Sequence, residues 1–364
     1  MNEAWALSAS LVFGLITLAV WVVLFPLRAW LANREVLDLP SDRGLHEHPT
    51  PRGGGIVIVL FSTVAMAAIW GILGTWRSTT VALVLGGALL VAVVSLWDDI
   101  RRQPVAIRLA AHILGAGMAA VGVGRLEAVD LNGLGTIHLS WLGLAFTLFW
   151  IVGLTNAYNF MDGIDGIAGA QAFVAGLGWF FLIEADPMVR AAGLVLAASN
   201  LGFLLHNWPP ARIFMGDVGS AFVGYILAVM TIIASRNDAR FAVVGLLLVW
   251  PFVFDATFTL FRRLARGENV LAAHRSHLYQ RLVIAGLSHR FVTLLYAVLA
   301  TLGGGLARIW LNGGRLNSFA AVGGVIGAAS GLWGFVRWAE RPSRPTRGVA
   351  PPGNDLQGEG EKIQ

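Results

Sequence analysis

The chain has no cysteine, a single lysine at Lys362, and charge on only 13% of its 364 residues. Without cysteine, neither a disulfide framework nor a Cys-ligated metal site can form. So little charge cannot cover a soluble fold of this length, for which about a quarter of residues would ordinarily be charged. Long linkers rich in Pro, Gly and Ser are missing from the first 340 residues, as is any fixed-period repeat, so a single domain over 1–340 is the simplest organisation. The first apolar segment follows Glu3 rather than a basic cluster and is longer than a signal-peptide core, which reads as an uncleaved span.

What is abundant is apolar sequence, 56% of the chain. A helix needs about 18 or more apolar residues to cross roughly 30 Å of hydrocarbon. Such runs fall near 5–30, 54–74, 79–97, 105–123, 141–158, 166–184, 189–206, 219–235, 240–262, 290–310 and 316–338. The chain is therefore read as an all-α polytopic membrane protein with about eleven transmembrane helices. Between the fourth and fifth, Asn132-Gly133 joins two short β-prone stretches, which predicts a small extracytoplasmic β-hairpin. From Arg341 to Gln364 the composition turns to Pro, Gly and charge, and 341–364 is expected to be a disordered cytoplasmic tail.

Positive charge sets the orientation, because Lys and Arg concentrate in cytoplasmic loops. Arg77, Arg125, Arg190, Arg236, Arg240, Arg308 and Arg315 lie on one side of the predicted bundle, and the other 19 of the 26 Lys and Arg lie on the opposite side. Every carboxylate-rich motif falls on that second, cytoplasmic side. The formal net charge of +5 needs no nucleic-acid partner, since Arg beside a span commonly meets anionic membrane lipid.

Four motifs carry chemistry. Asp98 and Asp99 end the third span, where an acid either faces water or belongs to a site. Asn156, Asn159, Asp162 and Asp165 follow the fifth, and the spacing of three stacks the last three along one face if the segment is helical. Asp217, between Gly216 and Val218-Gly219-Ser220, opens the eighth span, where a helix N-terminus attracts phosphate, although an Asp there also fits a plain cap. Phe214 just before it could stack on a base or sit at the membrane interface. His274, Arg275 and His277 form a basic loop after the ninth span, better suited to phosphate than to zinc because further nitrogen or sulfur ligands are missing.

In the first loop Arg52 precedes three glycines, so its guanidinium fork and the backbone N–H groups are candidates for a phosphate contact. Asp255, inside the ninth span, is read as a structural partner for one of the arginines; His112 and His206 are read as packing residues. An EF-hand is excluded by the missing downstream ligands.

In this order the motifs resemble the polyprenyl-phosphate N-acetylhexosamine-1-phosphate transferase family, glycosyltransferase family 4. The match covers roughly residues 38 to 282, with Asp98-Asp99, Asn156-x-x-Asn159-x-x-Asp162-Gly-x-Asp165-Gly and Phe214-Met-Gly-Asp217-x-Gly-Ser220 its most specific parts. The resemblance implies transfer of a sugar 1-phosphate from a UDP-N-acetylhexosamine to a polyprenyl phosphate, undecaprenyl phosphate being the expected carrier. It also implies release of UMP, a need for Mg²⁺ with Mn²⁺ as the alternative, and a bacterial inner membrane location. A homodimer is a further expectation, since family members are often dimers.

By position, the resemblance makes Asp217 the metal ligand and Asp98 the base or orienting group for the lipid phosphate, supported by Asp99. Asn159 and Asp162 would face the nucleotide, Asp165 would complete the site, and Phe214 would stack on uracil. His274 and His277 would contact the diphosphate or sugar, Arg52 and Arg108 would supply the phosphate contacts that lysines make in the peptidoglycan branch, and Arg275 would be a further substrate-binding residue. The His274-Arg-Ser-His277-Leu-Tyr279-Gln280 loop and the absence of core lysine look like the branch that starts O-antigen or other surface polysaccharides. Phospho-MurNAc-pentapeptide transfer is the alternative within the family. A CDP-alcohol phosphatidyltransferase lacks support because its Asp-Gly-x-x-Ala-Arg run is absent. A transporter would need polar groups along a path between the two faces.

Overall fold

The computed structural model describes residues 3–39, 45, 48–74, 76–270, 272 and 274–341. The expectation of a tail beyond Arg341 lies outside the described residues, as do Asp42, Arg43, His46 and Glu47 of the first loop. The helices are α1 (Glu3–Asn33), α2 (Gly55–Leu73), α3 (Ser78–Ile100), α4 (Val105–Val123), α5 (Leu142–Phe160), α6 (Ile167–Leu182) and α7 (Pro187–Asn207). They continue with α8 (Asp217–Asn237), α9 (Phe241–Leu248), α10 (Trp250–Ala265), α11 (Leu278–Ile284), α12 (His289–Leu311) and α13 (Arg315–Ala339). Two short antiparallel pairs complete the fold: β1 (Leu37–Asp38) with β2 (Thr50–Pro51), and β3 (Ala128–Asp130) with β4 (Thr136–His138).

Among the described residues, nine helices are long and apolar enough to cross a membrane: α1, α2, α3, α4, α5, α7, α8, α12 and α13. The chain is thus an all-α polytopic membrane protein, and each of the eleven predicted segments coincides with helix. Two of them depart from a straight span. The predicted 240–262 span is broken into α9 and α10, which meet at 77°. Pro251, in the first turn of α10, has no N–H to continue the ladder and restricts the residue before it, so the helix restarts in a new direction. The predicted 166–184 span is only the 16-residue α6, about 24 Å at 1.5 Å per residue. It begins at Ile167, after Gly166 at φ +79° ends the preceding loop in a left-handed conformation, and closes at Leu182, where Ile183 turns extended.

The hairpin forms where Asn132-Gly133 predicts it. Both residues take positive φ, 51° and 88°, and Val129 pairs with Ile137. Ser318 Oγ donates to Asn132 O at 2.7 Å and Arg315 Nε donates to Gly133 O at 2.9 Å, which fixes the turn against α13.

The bundle is built around α8. It contacts α2, α3, α4, α5, α6, α7 and α9, and its apolar side chains are almost wholly inside. Between membrane helices, close packing rather than expulsion from water drives association, and small residues let backbones approach. Gly219 of α8 lies on Gly55 of α2, where a Cβ added to Gly55 would sit 2.5 Å from the Gly219 Cα. Gly224 lies against α5, where an added Cβ would meet Tyr158 Cβ at 2.7 Å and Leu154 O at 3.0 Å. Tyr225, on the other side of the helix, reaches across to donate to Gly115 O of α4 at 3.0 Å.

This packing is testable. Gly224→Ala should destabilise the detergent-purified protein by about 1–3 kcal/mol, the usual cost of overpacking. Gly117→Ala, on an open face of α4 with nothing within 4 Å of the new methyl, should leave the melting temperature unchanged or raise it. Equal melting temperatures for Gly224→Ala and wild type would contradict the tight contact.

Candidate active site

One end of the bundle gathers the C-termini of α3 and α5, the N-terminus of α8, the loop before α2 and the loop between α10 and α11. Asp99 closes this junction. Its carboxylate accepts from the backbone N–H of Asp217 and of Val218, each at 3.0 Å, so the start of α8 is capped by an acid from α3. Arg52 Nη2 lies 2.7 Å from Asp99 Oδ1 and 2.7 Å from Asp217 Oδ1. Arg108 Nη1 lies 2.8 Å from Asp98 Oδ2 and 3.7 Å from Asp217 Oδ2, while Asp98 also has its side chain within hydrogen-bonding reach of Asp217. Burial works against the charge on Arg52, but Asp217 and Asp99 together hold its pKa above the ordinary value.

Two expectations change here. The N-terminal N–H groups of α8, read as a phosphate site, are occupied by Asp99. The three glycines after Arg52 likewise do not offer N–H groups to a ligand: Gly53 and Gly54 donate to Phe214 O at 3.2 and 2.9 Å, and Gly55 donates to Met215 O at 2.8 Å. Their lack of side chains allows the backbone approach, since a Cβ on Gly54 would fall 3.2 Å from Phe214 O. Arg52 and Phe214 are thereby paired through a parallel bridge, and both face the same cavity.

That first cavity, of about 240 Å³, is lined by Asp38, Leu45, Arg52, Asp162, Gly163, Ile164, Asp165, Asn207, Phe214, Gly216, Asp217, Gln280 and His289. A second, of about 390 Å³, is lined on its polar side by Arg108, His112, Asn156, Asn159, Asp217, His274, His277 and Gln280. Its apolar wall includes Val105, Leu109, Phe160, Ala221, Val270 and Ala272. Asp217 and Gln280 belong to both. Asp98 and Asp99 line neither; they hold Arg108, Arg52 and the start of α8 in place. Arg275 lines neither as well.

Asn159, Asp162 and Asp165 do not share a helix face. α5 ends at Phe160, so Asn159 is its last polar residue and donates to Ser220 Oγ at 3.0 Å, whereas Asp162 and Asp165 lie in the loop that follows. Asn159 consequently faces the second cavity and the two acids face the first. Asp165 accepts from Ala211 N at 2.9 Å and approaches His289 Nδ1 at 3.4 Å. The Asp162 carboxyl is pushed up to about 7, first by burial and then by the charge of Asp217. His274 is pushed down to about 4, first by burial and then by His277 and Arg263, so it is neutral at pH 7.

Among the described residues no arginine forms a salt bridge with Asp255, although its charge acts on Arg262. The Asp255 carboxylate accepts from the backbone of Leu278 and Tyr279, from Tyr296 and from Thr259, and it meets His277 Nδ1 at 3.2 Å. The 77° turn before α10 places it against the histidine loop rather than in mid-span. His206 behaves as read, with Nε2 on Trp21 O at 3.0 Å and its ring packed against Phe25. His112 does not: it accepts at Nδ1 from Asn156 at 3.0 Å and lines the second cavity. A signal for it was present, because His112 follows Arg108 by four residues and so shares its helix face. Gln280 carried no comparable signal.

The donor set suits a hard divalent cation. Asp98, Asp99, Asp162 and Asp217 set four carboxylates against the guanidinium groups of Arg52 and Arg108, and the excess of negative charge is one that oxygen-seeking Mg²⁺ would balance. Among the described residues no three His, Cys, Asp or Glu side chains form a ready-made metal cage. Mg²⁺ does not require one, since it commonly takes one or two carboxylates, substrate phosphates and water.

The raised Asp162 pKa has a signed consequence for stability. The folded protein binds this proton up to about pH 7, while the unfolded chain releases it near the ordinary carboxylate value, so this group's contribution is full below about 3.8 and is lost as pH rises to about 7. Asp162→Asn should therefore gain thermal stability relative to wild type steadily from pH 4 to 7, with a constant difference above. Melting curves of both proteins across that range measure it, and parallel curves would refute the assignment.

The glycosyl transferase family 4 model matches residues 81–235, which contain Asp98, Asp99, Asn159, Asp162, Asp165 and Asp217. The chain is 30% identical over 265 residues to a probable undecaprenyl-phosphate N-acetylglucosaminyl 1-phosphate transferase of Bacillus subtilis (strain 168), covering 71% of this chain and 73% of that protein. It is 32% identical over 299 residues to a decaprenyl-phosphate N-acetylglucosaminephosphotransferase of Mycobacterium leprae (strain TN), covering 73% and 74%. A phospho-N-acetylmuramoyl-pentapeptide-transferase of Latilactobacillus sakei subsp. sakei (strain 23K) is 32% identical over 216 residues, covering 55% and 66%. With its acids converging at one end of a polytopic helical bundle and relatives matched along most of their length, the chain belongs to glycosyl transferase family 4.

Proposed function

We propose that this protein transfers an N-acetylhexosamine 1-phosphate from a UDP-sugar to a polyprenyl phosphate in a bacterial cytoplasmic membrane, releasing UMP. N-acetylglucosamine is the sugar favoured by the names of the relatives above, and undecaprenyl phosphate is the favoured carrier. The product would be the first lipid-linked intermediate of an O-antigen or another cell-envelope polysaccharide. The observation that carries this reading is that two cavities of different character meet at Asp217.

The polar first cavity suits the nucleotide-sugar, with Phe214 on its wall to stack on uracil and Arg52 to meet a phosphate oxygen. The second suits the lipid phosphate, with Arg108 at its polar end and an apolar wall for the prenyl chain. Arginine excess on this side supports a cytoplasmic face for the site. In the reaction, an oxygen of the lipid phosphate bonds to the phosphorus that carries the sugar, and that phosphorus loses its oxygen bridge to UMP. Bound Mg²⁺, held by Asp217 with Asp98 or Asp162 nearby, would neutralise charge between two anionic reactants. A phosphate monoester has its second pKa near 6 and is largely dianionic at neutral pH, so Asp98 is assigned to positioning Arg108 and the acceptor phosphate more than to strong-base chemistry.

UMP release from a panel of UDP-N-acetylhexosamines and undecaprenyl phosphate tests this directly. Metal- and lipid-dependent UMP, abolished by EDTA, is expected with UDP-N-acetylglucosamine; no UMP from any donor in folded protein would sink the proposal. Asp217→Ala should lower the rate by at least about 1,000-fold, and Asp98→Asn by about 100-fold or more, both with the wild-type chromatographic profile. Full activity in either folded variant would remove that residue from the site.

A further inference from the structure

Asp255 is fully buried, and its two oxygens meet five partners. Oδ1 accepts from Leu278 N at 2.8 Å and Thr259 Oγ1 at 3.1 Å and lies 3.2 Å from His277 Nδ1. Oδ2 accepts from Tyr296 Oη at 2.6 Å and Tyr279 N at 3.1 Å. An ionised carboxylate only accepts, so His277 must carry its proton on Nδ1. In the neutral ring this leaves Nε2 with a lone pair. His274 Nδ1 lies 3.4 Å from Ser276 N, which can only donate, and 3.0 Å from Ser276 Oγ, which can take either role, so Nδ1 as acceptor satisfies both and puts the ring proton on Nε2. The two rings lie 4.9 Å apart and line the same cavity as Asp217.

We propose that Asp255 is a positioning residue which fixes the His277 tautomer, so that the histidine pair presents one acceptor and one donor, His277 Nε2 and His274 Nε2–H, to the phosphate in the second cavity. This rests on the transferase reading. When the acceptor lipid phosphate arrives singly protonated, its P–OH proton passes to His277 Nε2. The freed oxygen then bonds to the phosphorus carrying the sugar, the bond from that phosphorus to the UMP oxygen breaks, and the proton leaves on the UMP phosphate. Of the five partners of Asp255, Leu278 N and Tyr279 N tie the start of α11 to α10, Tyr296 ties α12 and Thr259 lies on α10 itself, so four serve packing alone. The fifth decides which ring nitrogen is basic.

Two-bond ¹H–¹⁵N correlation of histidine-labelled full-length protein in detergent, with His277→Gln identifying the signal, reads the tautomer without any need for activity. The expected result is Nδ1–H in wild type; Nε2–H on His277 in folded wild type overturns the proposal. Asp255→Asn can turn its amide N–H toward Nδ1 and should move the proton to Nε2. At about pH 5.5, where the acceptor phosphate is mostly singly protonated, its kcat should fall at least about tenfold with KM for the UDP-sugar changed less than about threefold, and the loss should shrink toward about pH 8, where the acceptor is dianionic. In a His277→Ala background the same substitution should change kcat less than about threefold, because the two residues act as one unit. Losses that multiply in the double variant, or a normal kcat in folded Asp255→Asn, would show a merely structural carboxylate. If wild type releases no UMP, the transferase reading fails by itself while the tautomer result still stands or falls separately.

Discussion

The carboxylate of Asp99 at the first two N–H groups of α8 is the contact on which the site depends. It joins the end of one helix to the start of the central one, and Arg52 then ties both to the loop before α2. The approach is possible because Gly216 has no side chain: at φ +77°, an added Cβ would stand 2.8 Å from Asp99 Oδ2. A helix N-terminus left open here would attract any anion. Filled from within, it fixes Asp217 while leaving ligand recognition to the side chains around it.

Electrostatics and packing therefore divide the work. Asp98 and Asp99 neutralise and aim two arginines, and Asp217 and Asp162 retain carboxylate oxygens on the cavity side. Holding so many charges close together at a membrane boundary is costly unless each is paired. The pairing runs through Arg52 and Arg108, whose forks reach more than one acid. That arrangement keeps like-charged carboxylates in one place before any ligand arrives.

Much of this was legible in the sequence because charge in an apolar chain is conspicuous. The spans, the Asn132-Gly133 hairpin and the acids of the site stand out for that reason. The break between α9 and α10 does not, since Val249 and Trp250 continue the apolar run and only Pro251 marks the change. Everything that follows from the bend was hidden with it, including the move of Asp255 from mid-span to the histidine loop. The three-residue spacing of Asn159, Asp162 and Asp165 gives a shared face only in a helix, and the helix ends at Phe160, where the glycine-rich loop begins. Local sequence makes the N–H groups of the glycines after Arg52 candidates for a ligand, whereas they serve the Phe214 and Met215 carbonyls; spacing along one segment carries no information about a partner about 160 residues away.

The two cavities share Asp217 and Gln280 and otherwise have separate walls. Occupants of the two would be neighbours without competing for volume, so neither must leave before the other enters. A single molecule with an anionic nucleoside portion and a lipid portion, joined by a linker of matching length, would meet the second cavity at the high effective concentration set by its first attachment. For such a compound the shared wall at Asp217 and Gln280 sets the linker length.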